Sequence, residues 1–351
     1  MERDGAAVMM SRRALSLAIL AAPAALLLDG MAGAAVPSGS PLVGVGTSFP
    51  ALLIQRWARD YYAQTGLAVN YQTIGSAAAI QQVVQGTVDF GASTIPLSAA
   101  ELQSKGLIQI PFVLGGVVPV VNLPGFPASN PLKLTGKVLA DLFLGEIKAW
   151  DDERIRAANP GRQLPRLPVV PVHYAEGSGT TFVFTSYLAA TDPVWAARVG
   201  VAAMPEWPVG IASRGNGGVA QLVSQTPGAV GFMEDSFASA SGCAVVALLN
   251  RDNTWVSPTA GAFKAAATHA GWSPAQGFQV TLVDEPGRES WPIVATSYFL
   301  LRKDRFEQPA SLAVRRFVRW SITSDASQID SLGYVPLPRS VTVILEGMLS
   351  R

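Results

Sequence analysis

Four short segments of this sequence set glycines beside small hydroxyl side chains. They are Gly46-Thr47-Ser48-Phe49-Pro50, Gly75-Ser76-Ala77, Gly91-Ala92-Ser93-Thr94 and Gly177-Ser178-Gly179-Thr180-Thr181. Each falls where a helix is expected to begin. A glycine lets the backbone approach a ligand closely, and a helix start leaves N–H groups unpaired and carries a partial positive charge. One such segment is an ordinary helix cap. Four of them spread over about 135 residues, if they converge, describe a pocket that holds a dehydrated oxyanion with neutral donors.

Other chemistries have few residues to work with. The chain has 351 residues and two histidines, His173 and His269. Its single cysteine, Cys243, rules out an intrachain disulfide and a cysteine-based metal site. Zinc or serine-histidine-aspartate catalysis would rest on those two histidines alone, and Gly177-Ser178-Gly179 lacks the G-x-S-x-G spacing of a nucleophile elbow. No enzyme, metal or cofactor is expected. Glu234-Asp235 and Asp151-Asp152-Glu153 are paired acids that read as solvated loop residues. The net charge is +1 with 15% charged residues and no basic stripe, so no nucleic-acid partner is expected.

The elements that position the hydroxyl loops follow from periodicity. Val43 to Gly46 reads as a strand; Leu53, Trp57 and Tyr61 recur at helical spacing after Pro50, which suits a first helical position. Leu67 to Gln72 alternates like a strand, Ser76 reads as the cap of a helix stopped at Gly86, and Val88 to Ser93 is another strand. Strand–helix alternation predicts a parallel α/β sheet, with ligands at the carboxyl ends of the strands. Gly115 to Val121 is nearly all apolar and suits a crossover between domains; Trp291 to Leu301 suits a return. Two crossings give a bilobed chain whose first domain uses both chain ends.

The N-terminus has its own logic. Arg12-Arg13 precede the apolar run Ala14 to Leu28, and Ala32-Gly33-Ala34 fits a small-x-small cleavage site. Residues 1–34 read as a signal peptide for the secretory or twin-arginine route, with Met9 or Met10 as alternative starts. No cysteine follows the run, so no lipid anchor is expected, and the mature protein is expected in the periplasm.

Taken in order, GVGTSFPALLIQRWARDYYAQTG, VNYQTIGS, TVDFGAS, GGVVPVVNLPG, LTGKVLADLFLGEIKAWDD, EGSGTTFVFTSYL, WPVG, TPGAVGF and WPI resemble the phosphate-binding proteins of phosphate ABC transporters, the PstS family. The resemblance spans nearly the whole mature chain. It implies an α/β, two-domain periplasmic-binding-protein (type II) clamp with two hinge crossovers. The domains would be residues 35–117 with 291–351, and residues 118–290. It also implies a monomer that closes on inorganic phosphate and delivers it to an ABC permease, meaning transmembrane subunits with an ATPase.

Carried over by position, the resemblance implies ligand contacts from Ser48 (Thr is usual), the N–H of Phe49, Ser76, Ser178, Gly179 and Thr180. The glycines usual after Ser76 are Ala77 and Ala78 here. Two positions depart, although Thr94 and Tyr174 stay candidate ligand contacts. Thr94 stands where the family has an Asp that accepts the phosphate proton, and Tyr174 where it has an Arg that pairs with the anion and with the acid at Glu176. Thr94 can both accept and donate and carries no charge, and losing the Arg removes bidentate pairing. The two losses cancel in formal charge. A related oxyanion such as sulfate or an organophosphate, or a sensor or interaction role on the same scaffold, therefore stand as alternatives. His173, next to Tyr174, is a candidate donor or a plain strand residue.

Overall fold

The computed structural model describes residues 40–127 and 129–350. The signal-peptide reading of residues 1–34 lies outside them.

The chain begins with strand β1 (Leu42–Gly46), helix α1 (Ala51–Thr65), β2 (Val69–Thr73), α2 (Ser76–Gln85), β3 (Phe90–Ser93) and α3 (Ala99–Lys105). β1 pairs in parallel with both β2 and β3, as the alternation predicts. β4 (Leu107–Val121) then crosses to β5 (Lys133–Leu134), α4 (Gly136–Leu144), α5 (Glu153–Ala158), β6 (Val170–Tyr174), α6 (Gly179–Thr191), α7 (Pro193–Arg198) and β7 (Ile211–Ser213). Next come α8 (Gly215–Gln225), β8 (Ala229–Glu234), α9 (Asp235–Ser241), β9 (Ala244–Val245), β10 (Ala247–Leu249), β11 (Trp255–Val256), α10 (Ala260–Ala267), β12 (Leu282–Val283) and the returning strand β13 (Ile293–Arg302). Helices Leu312–Ile322 and Arg339–Leu349 close the chain against the first side.

The long sheet runs β2-β1-β3-β13-β4-β8-β6-β7. It is mixed, not wholly parallel: β13 returns from the far side and so pairs antiparallel with both β3 and β4. β4 pairs with β13 from Leu107 to Gly116, and with β8 from Val117 to Val121. The two-lobe architecture follows, with β4 as the outward crossing and β13 as the return.

β4 starts eight residues before the predicted Gly115. Pro111 disguises it, because proline cannot donate to a ladder and argues against a central strand. The structure accommodates it with a bulge: Ser297 faces Val113, Tyr298 faces Pro111, and Phe112 is the extra residue. Helices cover both faces of these strands, so β4 and β13 read as apolar runs with no alternation. At Gly116 an added Cβ would lie 2.2 Å from the Phe263 ring, so only glycine lets α10 dock there.

Each side of the crossing has an aromatic centre. Phe112 and Phe299 stack at 4.1 Å beside Trp57. Phe184 and Phe232 stack at 3.9 Å beside Phe143. Burying each such ring contributes about 1.5–3 kcal/mol, so each lobe has its own packing anchor. Two predicted helix starts shift by one residue. Pro50 caps α1 instead of opening it, and Gly75, at φ 87°, caps α2 with Ser76 as its first residue.

Candidate functional site

The four hydroxyl segments do converge. The loops after β1 and β3 and the start of α2 extend the carboxyl ends of one side of the sheet, and the start of α6 follows β6 on the other. Ala77 N–H donates to Gly177 O across 3.3 Å, and Asn216 on α8 reaches Ser48. Thr94 Oγ1 packs so closely on Gly179 that an added Cβ there would sit 1.7 Å from it. The two sides are therefore closed on each other. Between them lies a cavity of about 130 Å³, lined by Ser48, Thr73, Ile74 and Gly75 on one side and by Glu176, Arg214 and Gly215 on the other.

The hydroxyls are oriented by what they accept. Ser48 Oγ takes two hydrogen bonds from Asn216, one from its backbone N–H at 3.2 Å and one from Nδ2 at 3.0 Å. Ser76 Oγ accepts from Thr94 N–H at 3.2 Å. Ser178, the cap of α6, accepts from Thr181 N–H at 3.4 Å. A hydroxyl has one proton and two acceptor positions. When N–H groups fill the acceptor side, what the oxygen has left to offer is its proton. Thr94 Oγ1 and Thr180 Oγ1 are buried with no partner among the described residues. An unmet buried hydroxyl costs about 1–3 kcal/mol, so both favour a bound acceptor. Gly179 and Thr180 open the first turn of α6, where backbone N–H groups have no intrahelical acceptor. Phe49 N–H is engaged, donating to Thr47 Oγ1 at 3.3 Å.

Tyr174 stands, uncharged, where the resemblance implies a guanidinium. It is buried against Phe232, and its hydroxyl donates to Asn216 Oδ1 at 2.5 Å. Burial pushes its pKa well above the usual phenol value, so it stays neutral. Glu176 Oε1 accepts from Gly215 N–H at 2.9 Å, and its Oε2 is buried without a partner among the described residues. His173 is the plain strand residue: its ring stacks on Trp207 at 4.8 Å, and Nδ1 lies 3.1 Å from Tyr174 O. Desolvation lowers its pKa, which keeps the ring neutral, and the Tyr174 carbonyl, which can only accept, places the proton on Nδ1.

Asn216 is the residue that sequence reasoning missed. It is fully buried, and Oδ1 accepts from Tyr174 and from Glu234 N–H while Nδ2 donates to Ser48. The signal was the Arg214-Gly-Asn-Gly-Gly218 run, which reads only as a helix lead-in until β6 and α8 are placed side by side.

The reading of the acid pairs needs correcting at Glu234. Asp151 and Asp152 do lie at the surface, paired with arginines. Glu234 is fully buried at the end of β8, and burial raises its pKa to about 8. Its Oε1 accepts from Ser236 N–H, and its Oε2 contacts the Ser236 hydroxyl and lies 3.4 Å from Tyr334 OH. Tyr334 in turn donates to Phe49 O at 2.7 Å. No cluster of three or more His, Cys, Asp or Glu side chains placed to hold a metal occurs among the described residues.

A PBP superfamily domain model matches residues 32–325. A phosphate-binding protein PstS of Xylella fastidiosa is 42% identical over 303 residues, covering 86% of this chain and 83% of that one. A phosphate-binding protein PstS of Pasteurella multocida is 41% identical over 332 residues, covering 95% and 94%. Among solved structures, a high-affinity periplasmic phosphate-binding protein bound with phosphate superposes with TM-score 0.70 at 20% identity, covering 88% of this chain and 93% of that one. A phosphate-binding protein from Stenotrophomonas maltophilia superposes with TM-score 0.63 at 20% identity, covering 88% and 94%.

Proposed function

The chain belongs to the PstS family of phosphate-binding proteins, within the PBP superfamily, and from that premise we propose how it holds its ligand. It is not an enzyme. It captures phosphate as the substrate-binding protein of an ABC transporter.

In our reading the anion sits where the four hydroxyl segments meet. Ser48, Ser76, Thr94, Ser178 and Thr180 donate through their hydroxyls, and Gly179 and Thr180 through backbone N–H groups; Phe49 N–H joins them by exchanging Thr47 Oγ1 for the anion. Tyr174 acts as a positioning residue, holding Asn216, which orients Ser48. The observation that carries this reading is that three of the serines already accept from N–H groups and so have protons to give. Such a site suits a ligand made of acceptor oxygens. It works by preorganised neutral dipoles in a water-poor space, where each bond is stronger than in solvent. Arg214 at the cavity edge supplies a cation, and the α6 N-terminus adds its partial positive charge.

We assign the lobes to residues 35–117 with 291–351, and to residues 118–290. The partner change of β4 between Gly116 and Val117 supports the first boundary. Opening about β4 and β13 would release the anion to an ABC permease. We further propose that residues 1–34 direct export to the periplasm and that the mature chain is a monomer. N-terminal sequencing of the exported protein tests the first, with Ala35 near the new terminus, and light scattering the second.

The decisive test is calorimetry of the mature chain with phosphate, arsenate and sulfate. Phosphate and arsenate are expected to bind saturably. No phosphate binding at millimolar ligand overturns the proposal and leaves the sensor or interaction role on this scaffold.

A further inference from the structure

We propose that Glu176 is the residue that reads the proton of the bound anion and so sets phosphate above sulfate in this site. The inference rests on the phosphate reading just given and names the selectivity element within it.

The Ser48 and Thr73 hydroxyls and Arg214 line the cavity, and the Ser76, Thr94, Ser178 and Thr180 hydroxyls belong to the segments that meet around it; such groups suit any tetrahedral oxyanion. Ser48 Oγ has its acceptor positions filled by Asn216. Thr94, which carries no charge, packs its hydroxyl against Gly179. Donors of this kind cannot separate phosphate from sulfate, because both offer acceptor oxygens of similar size. Discrimination needs an acceptor that can pair with a ligand O–H, which phosphate has and sulfate lacks at neutral pH.

Among the described residues, Glu176 is the only carboxylate lining this cavity. One of its oxygens is fixed: Oε1 accepts from Gly215 N–H at 2.9 Å, which pins the carboxyl to the start of α8. The other, Oε2, is shielded from solvent with no donor among the described residues. The side chain also lies on the closing seam, since an added Cβ on Gly75 from the facing lobe would meet Glu176 Cγ at 3.2 Å. A shielded carboxylate oxygen without a donor is costly, and more so beside a second anion. An O–H carried in by the ligand removes that cost; a fully deprotonated anion adds to it. Selectivity thus arises from one unmet carboxylate oxygen, an acceptor that cannot donate, among hydroxyls that can do both, by penalising the wrong ligand.

The alternative physical role for Glu176 is plain repulsion, which would act on every divalent anion alike. The ratio of affinities separates the two. Phosphate and sulfate titrations by calorimetry on the mature wild-type chain and on Glu176→Gln, at one pH and ionic strength, give that ratio directly. The amide is isosteric, can keep an acceptor on Gly215 N–H, and presents its NH2 where Oε2 stood. Sulfate affinity is expected to rise and phosphate affinity to stay level or fall, so that the phosphate-to-sulfate ratio drops at least tenfold. Glu176→Ala, should the amide variant fold poorly, is expected to shift the ratio in the same direction. If both anions gain equally and the ratio stays within twofold, Glu176 acts by charge alone and the inference is overturned while the function stands. If the wild type binds no phosphate, the function and this inference fall together.

Discussion

Asn216 Nδ2 lies 3.0 Å from Ser48 Oγ, a hydrogen bond that joins the loop after β1 to the start of α8 on the facing side of the cleft. The same amide accepts from Tyr174. A strand residue in one lobe thereby sets the direction of a hydroxyl in the other, with Asn216 as the link. Closure of the cleft and the orientation of the Ser48 hydroxyl meet at this contact.

Asn216→Ala removes the link and leaves the Tyr174 hydroxyl buried without its acceptor. Phosphate affinity is expected to fall about 30-fold, equivalent to roughly 2 kcal/mol. Titration calorimetry measures it.

Tyr174→Phe is a milder cut. Asn216 Oδ1 keeps Glu234 N–H, so the loss is one buried hydrogen bond. Denaturant unfolding is expected to show a loss of about 1–2 kcal/mol, with a smaller drop in phosphate affinity than Asn216→Ala produces.

Gly179→Ala tests closure. The new Cβ would stand 1.7 Å from Thr94 Oγ1, too close for the lobes to meet as they do. Phosphate affinity is expected to fall about a hundredfold, or ~2.7 kcal/mol, with the fold intact by circular dichroism. Adding Thr94→Ala removes the clashing oxygen and is expected to recover part of the loss. A double-mutant cycle with no coupling would show that this contact does not limit closure.

Glu234 gives the protein a pH dependence with a definite sign. Its folded pKa is raised to about 8, mainly by burial, with the neighbouring Asp235 adding to the rise and bonds from Ser236 and Tyr334 opposing it. The folded state therefore holds a proton that the unfolded state releases near pH 4.3. Stability from this group is complete below the unfolded pKa and is lost as pH rises through about 8. Glu234→Gln removes the titration. Melting temperatures of wild type minus variant should decline from pH 5 to pH 8; a flat difference would mean that Glu234 is ionised in the folded protein.

Local chemistry made much of the site legible. Gly-Ser-Gly-Thr before an apolar helix is a capped helix start, and Ser178 does cap α6. The strand–helix alternation before Phe90 gave a parallel β2-β1-β3 unit because each strand buries its own apolar residues before the chain turns back. Where the outcome depended on distant partners, the sequence was silent or misleading. Pro111 hid half of β4 because the bulge that tolerates it is made by β13, nearly two hundred residues away. Glu234 reads as a surface acid until Ser236 and Tyr334 enclose it.

By itself, then, the sequence determined which donors this protein brings and that they begin helices, because caps and glycine turns are decided within a few residues. The tertiary structure alone decided what those donors face. It turned Tyr174 inward to Asn216, set Thr94 against Gly179, and left one oxygen of Glu176 unmet. The Thr94–Gly179 contact depends on the two lobes meeting, and the Tyr174–Asn216 bond on β6 and α8 packing side by side; no local pattern encodes the side chain waiting across either contact.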